Sequence, residues 1–383
     1  MVFSIKLTFR RFFNKVINLF DELLKSDRWI IYSVLLCTFV SLFFAFPSYD
    51  SIDPTYRRLS HFIEQCNSVH EYWLAHPISN INYRITVPII INILNASYVE
   101  AFLIQYICGV LLFLISIKLI YKFTNDKISA LLFSLALALS YPGITSFCEL
   151  RGIFDGVAIF LVVLTLYLNN PILIISTIVL GSFTDERAFF ASGFLLAYGI
   201  VAERGYYVVK NRKINKYNLF VILGLITYLV IRYIITIKYG LTMQDQHDLG
   251  VVGWKLLDQI NNIPIAIWTG LEGLWILPLV CIIYTFEKKN LNFNLFYIGT
   301  LIFLIILGNS IVDTTRGLIY IFPSTLVAMR VISKTLPKQE IRYILMVCFM
   351  ICLIWPAYGV GGKSSIWWNY PFPMQILRWI FLF

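Results

Sequence analysis

The sequence predicts an all-α fold: a polytopic transmembrane bundle of about eleven helices, with amphipathic helices in a large first extracytoplasmic loop. Three observations predict it. Of the 383 residues, 59% are hydrophobic and 14% are charged, against roughly 25% charged in soluble domains. The apolar residues fall into successive runs of helix length, and Lys and Arg collect between alternate runs. The net charge of +10 therefore reads as the positive side of a membrane protein, and nucleic acid is not an expected partner.

Residues 1–28 place Lys6, Arg10, Arg11 and Lys15 among Phe3, Phe12, Phe13, Val16, Ile17, Phe20 and Leu24. There is no small-residue cleavage site after a short apolar core, so this stretch predicts a basic amphipathic helix on the cytoplasmic face, attracted to anionic membrane lipids.

The membrane domain covers residues 29–356. Apolar runs predict spans over Trp29–Phe46, Tyr98–Tyr121, Ile128–Tyr141, Phe154–Leu168, Pro171–Phe183 and Phe189–Val201. Further spans are predicted over Leu219–Ile237, Ile265–Phe286, Phe293–Ile311, Leu318–Val331 and Tyr343–Pro356. With a cytoplasmic N-terminus, Lys118, Lys122, Lys127, the basic run from Arg204 to Lys216, Lys288, Lys289, Lys334, Lys338 and Arg342 all fall inside, as the positive-inside rule requires. More than half of the acids then fall outside, a result not used to build the threading. The protein is expected in a bacterial cytoplasmic membrane with its site facing outward.

The first outer loop, residues 48–97, is the longest polar stretch between two apolar runs. Asp50 and Asp53 stand at i, i+3, so a helical turn sets both carboxylates on one face. Tyr56, Arg57, Arg58, His61 and Glu64 follow with helical spacing, and Ile52, Leu59 and Phe62 supply an apolar side expected to lie on lipid.

The four central spans have only about 13 to 15 residues each, or about 20 Å of helix, against a hydrocarbon core of about 30 Å. Their outer ends carry Glu149, Arg151, Asp155, Asp185, Glu186 and Arg187. Charges at that depth are tolerated when paired or facing a watery cavity. The expectation is one recessed cavity roofed by the outer loop, with Asp313 and Arg316 added from a later helix start in the sequence DTTRG.

These features together resemble the GT-C superfamily of integral-membrane glycosyltransferases, which use sugars linked to polyprenyl phosphate. The architecture carries most of the likeness. At residue level it rests on D-x-x-Y at Asp53 and Tyr56, supported by Asp50, and on NYRITVP with Tyr83, Arg84 and Pro88. The sequence departs from the family's paired Asp-Glu form, because Ser51 follows Asp50 and Pro54 follows Asp53. The resemblance implies transfer, with inversion, from a lipid-linked sugar donor to an external glycan or lipid acceptor. Asp53 first, or Asp50 second, would be the general base, and Arg316, Arg151, Arg187 and Arg84 would hold the phosphate. A divalent cation, magnesium or manganese, would suit Asp50, Asp53 and Asp155, although no spacing demands one. Two alternatives compete: a polysaccharide polymerase using lipid-linked repeat units, and a transporter or lipid flippase. For the latter, Glu100, Arg232 and Glu272 are the candidates for buried charge.

No nucleotide fingerprint, Gly-rich phosphate loop or Ser-His-Asp order is present. His61, His70, His76 and His247 fall in loops without metal-ligand spacing and read as surface residues. The seven cysteines are an odd number, so no disulfide framework is expected, and only Cys66 and Cys148 stand outside together. Residues 357–383 read as an external, interfacial tail in which Trp367, Trp368, Tyr370 and Trp379 form an aromatic belt and Met374–Phe383 a helix.

Overall fold

The computed structural model describes residues 15, 18, 20, 21, 24–49, 52–55, 57–79, 81–204, 215–242, 260–287, 291–311, 313–355, 357–361 and 365–381. Asp50, Tyr56, His247 and most of residues 1–28 lie outside them. The chain is almost wholly helical, in the order α1 (Trp29–Phe44), α2 (Arg57–Asn67), α3 (Val69–Ala75), α4 (Thr86–Leu94), α5 (Tyr98–Thr124), α6 (Lys127–Leu139) and α7 (Tyr141–Cys148). Next come α8 (Asp155–Tyr167), α9 (Pro171–Thr184), α10 (Arg187–Arg204), α11 (Lys216–Tyr239), α12 (Ile263–Leu271) and α13 (Ile276–Glu287). The last helices are α14 (Leu291–Asn309), α15 (Thr314–Leu318), α16 (Pro323–Thr335), α17 (Lys338–Ile354) and α18 (Phe372–Phe381).

Every apolar run is helical. By length and composition, four described helices can cross a membrane unaided: Tyr98–Thr124, Lys216–Tyr239, Ile263–Glu287 and Thr314–Thr335. The bent pair of α6 and α7, turned by 56°, makes a fifth if it counts as one span. The chain has the helices of a membrane protein.

Local signals set the helix ends. Asn170 caps α9 by accepting the N–H groups of Ile172 and Leu173, and Pro171 occupies the first turn, where it has no N–H to lose. Asp126 caps α6 through the Ser129 N–H, and Ser97 with Glu100 forms a capping box on α5. Glu100, expected as buried charge, is thus an exposed cap.

The centre of the bundle is protein on all sides. Nearly every residue of α6 and α8 is buried, which is why these short helices are apolar around their whole circumference. α11 instead exposes Leu219, Leu223, Ile226, Tyr233 and Ile237, an apolar face suited to lipid.

The break after α6 needs glycine. A Cβ on Gly143 would stand 2.0 Å from the Leu137 carbonyl oxygen, so α7 can leave α6 at this bend only with a bare backbone there. α7 and α8 approach as closely, since a Cβ on Gly156 would meet Ser146 Oγ at 2.1 Å.

Two expectations are corrected. The apolar side of α2 packs on protein rather than lipid: Leu59, Phe62 and Cys66 are buried. The Phe62 and Phe154 rings lie 4.8 Å apart, and Gly152, at φ +75°, brings the α7–α8 connection under the helix. The tail is not simply interfacial either, because β1 (Tyr358–Gly361) pairs antiparallel with β2 (Ser365–Trp368) and lies against α15. Its free edge is satisfied by hydroxyls: Thr314 Oγ1 donates to the Val360 carbonyl at 2.7 Å, and the Val360 N–H donates to Thr315 Oγ1 at 2.8 Å. α18 covers Phe372–Phe381, and Trp379 meets the Phe46 ring at 6.0 Å.

Candidate functional site

The short helices deliver their charged ends to one place. Asp155 opens α8, Asp185 and Glu186 link α9 to α10, which Arg187 opens, and Asp313 with Arg316 begins α15. Asp155 is fully buried. Its Oδ1 accepts from Arg187 Nη2 at 3.0 Å and from the Tyr320 hydroxyl at 2.9 Å, and its Oδ2 accepts from Arg316 Nε at 2.7 Å. Arg187 also donates through Nε to Asp185 Oδ1 at 2.6 Å. Arg316 donates through Nη1 to Asp313 Oδ2 at 2.6 Å.

The loop of residues 48–97 closes over this core. Arg84, just before α4, places Nη2 at 3.1 Å from Asp185 and 3.4 Å from Glu186. Arg58, on α2, places Nη1 at 3.2 Å from Asp313. Beside them Arg151 donates through Nε to Glu149 at 2.8 Å in the α7–α8 connection.

Burying such charges costs several kcal/mol per ion unless each is paired and hydrogen-bonded. Here Arg58, Arg84, Arg151, Arg187 and Arg316 face Glu149, Asp155, Asp185, Glu186 and Asp313, so the formal charges cancel. The donors do not cancel. Among the described residues, Arg316 Nη2 and Arg84 Nε are buried with no acceptor, which leaves these two guanidinium groups a donor each.

Two clefts flank the network. One, a narrow recess open to solvent, is walled by Arg58, Phe62, Arg84, Gly152 and Phe154. The other, equally narrow, lies between Tyr141, Arg151, Asp313, Arg316 and the β1 residues Gly359 and Val360. Both place arginine beside apolar or backbone surface.

Comparison with protein-family models, with curated proteins and with solved structures finds no match. The site is therefore read from its own geometry.

Asp155, Asp185, Glu186, Arg187, Asp313, Arg316 and Arg84 form one contiguous network, and Glu149 with Arg151 borders it across the second cleft. It is a packed charge network with clefts at its edges rather than one open cavity, because each carboxylate at its centre is filled by arginine. A divalent cation at Asp155 does not fit, since both of its oxygens already accept from Arg187, Arg316 and Tyr320.

Asp53 stands apart, exposed at the surface, accepting from the Thr55 N–H at 2.9 Å and the Thr55 hydroxyl at 2.7 Å. Those hydrogen bonds hold its carboxyl below the usual carboxylate range. Asp50 and Tyr56 lie outside the described residues.

Sequence reasoning missed Tyr320 and Arg58 as members of the network. Tyr320 sits in a wholly apolar run, and only its hydroxyl hints at a buried partner. Arg232 is held locally, donating to the Tyr228 hydroxyl at 2.6 Å and lying 4.1 Å over the Tyr83 ring. Cys66 and Cys148 are free thiols.

Proposed function

We propose that this protein transfers a sugar from a polyprenyl-phosphate-linked donor to an extracytoplasmic glycan or lipid acceptor. In this reading the eleven apolar helices all cross a bacterial cytoplasmic membrane in a GT-C-like bundle, the shorter ones within a thinned or protein-filled region. The buried guanidinium of Arg316, fixed by Asp155 and Asp313 yet keeping Nη2 without an acceptor, is the observation that carries it.

The chemistry follows from what each group can do. A carboxylate whose oxygens are already taken up by arginine is poorly placed to accept a proton from a substrate hydroxyl. Asp155, Asp185 and Asp313 are therefore structural anions that aim their arginines. Asp53 holds no cation among the described residues, stays ionised at neutral pH, and lies five residues before Arg58, within about 18 Å of extended chain. It takes the acceptor hydroxyl proton as the oxygen attacks the anomeric carbon from the face opposite the phosphate. The bond from that carbon to the phosphate oxygen breaks, the anomeric centre inverts, and polyprenyl phosphate leaves with its charge held by Arg316 and neighbouring arginines. Asp50 is the second candidate for the base. The same site would serve a polymerase whose donor carries a repeat unit.

Binding tests the phosphate role. Purified protein in nanodiscs is expected to bind polyprenyl phosphate more tightly than the corresponding polyprenol, and Arg316→Ala should weaken that binding at least tenfold. Equal binding of phosphate and alcohol would contradict it.

One observation favours transport instead. Between α12 and α13 the chain breaks into a 3-10 turn at Glu272, which is fully buried, has φ +49° and, among the described residues, meets no donor with either carboxylate oxygen. Discontinuous helices are where transporters build their coupling-ion sites. In that reading Glu272→Gln abolishes proton-coupled uptake into vesicles; in the transferase reading it leaves donor turnover intact.

A further inference from the structure

On the outward face of α2, three side chains that the sequence keeps apart converge. Glu64 Oε2 lies 2.8 Å from His76 Nε2 and 4.0 Å from His61 Nδ1. The donor atoms of all three lie within 4.8 Å of one another. His61 and Glu64 share a helix face at i, i+3, and His76 arrives from the residue that ends α3. Tyr72 backs both imidazoles, with ring centroids 5.7 Å from His61 and 4.9 Å from His76.

One further detail points to a ligand. His61 Nδ1 is buried and has no hydrogen-bond partner among the described residues, an idle lone pair or N–H aimed at the cluster. Two imidazoles and a carboxylate are the donor set of an open zinc site, and imidazole selects zinc over magnesium or manganese. Zinc about 2.0 to 2.1 Å from each ligand sets tetrahedral donors roughly 3.3 Å apart. The present 2.8 and 4.0 Å separations bracket that value, and the two imidazole nitrogens lie within 4.8 Å of each other.

We infer that His61 Nδ1, the Glu64 carboxylate and His76 Nε2 form a zinc-binding site on the outer loop, with water in the fourth position. Binding moves the His76 N–H to Nδ1 and replaces the direct His76–Glu64 hydrogen bond by two bonds to the metal. The ion cross-links α2 to the end of α3. Because Arg58 lies one turn before His61 on the same helix and holds Asp313, the cross-link also steadies the lid over the charge network. The site stands whether or not the chain transfers sugars.

The test uses the full chain, without a histidine tag and stripped of metal, in detergent. Titration with zinc is expected to give one tight site per chain, unaffected by millimolar magnesium. Cobalt in its place should show the strong visible bands of tetrahedral coordination. His61→Ala, His76→Ala and the nearly isosteric Glu64→Gln should each weaken zinc binding tenfold or more, while His70→Ala, outside the cluster, should not. Absence of tight zinc binding by the wild-type chain would overturn the assignment. So would full retention in the His61→Ala and Glu64→Gln variants, which would mean adventitious surface binding only.

Discussion

Arg58 Nη1 lies 3.2 Å from Asp313 Oδ2, joining α2, in the loop between α1 and α5, to the start of α15 across 255 positions of sequence. Arg58 walls the larger cleft and Asp313 the smaller. This one ion pair is therefore the partition between them, and the point at which the loop is latched to the bundle.

The latch is half exposed, so its removal should cost little stability, under about 1 kcal/mol. Arg58→Ala is expected to leave the thermal midpoint nearly unchanged while raising amide hydrogen exchange in α2. Unchanged exchange there would mean that Leu59 and Phe62 hold the helix alone.

Asp155→Asn should behave in the opposite way. It strips the counter-charge from two buried arginines, Arg187 and Arg316, and such a loss destabilises by about 3 to 5 kcal/mol. Thermal unfolding in detergent should show a drop of many degrees, far beyond that of Arg58→Ala.

Gly143→Ala tests the bend between α6 and α7. The added methyl group meets the Leu137 carbonyl oxygen at 2.0 Å, so the 56° bend must open. A loss of about 1 to 3 kcal/mol is expected, again read by thermal unfolding. The equivalent change at Gly299, whose added Cβ would meet nothing, should be mild.

Orientation is checked by labelling. A cysteine replacing Ser60, in the outer loop, is expected to react with an impermeant maleimide applied from outside intact cells. Reaction only from the cytoplasmic side would reverse the topology. The native thiols give little background, being buried or half buried.

What the sequence makes legible follows physical lines. Apolar runs bounded by Pro171, Asp126 or Asn170 mark helices because capping and lipid-like composition are local properties. The gathering of Asp155, Asp185, Arg187 and Arg316 is legible too, since charges at the ends of helices too short to reach water must find one another. The Arg58–Asp313 latch has no periodic signature at a separation of 255 residues. The hairpin of Tyr358–Gly361 and Ser365–Trp368 is too short for alternation to register. His61, Glu64 and His76 meet only because α2 and α3 turn back on each other after Asn67. Glu100 misled because a carboxylate one turn into an apolar helix looks buried until the capping box with Ser97 is seen.

The claim that an outer-loop carboxylate drives sugar transfer is tested by supplying membranes that hold this chain with a panel of radiolabelled polyprenyl-phosphate sugars and following label into glycan or lipid. Wild-type protein should transfer label from at least one donor. Asp53→Asn should lower the rate by 100-fold or more, about the contribution of a general base, with donor binding and thermal stability unchanged. Full transfer by both Asp53→Asn and Asp50→Asn, or no transfer by the wild-type chain from any donor in the panel, would contradict it.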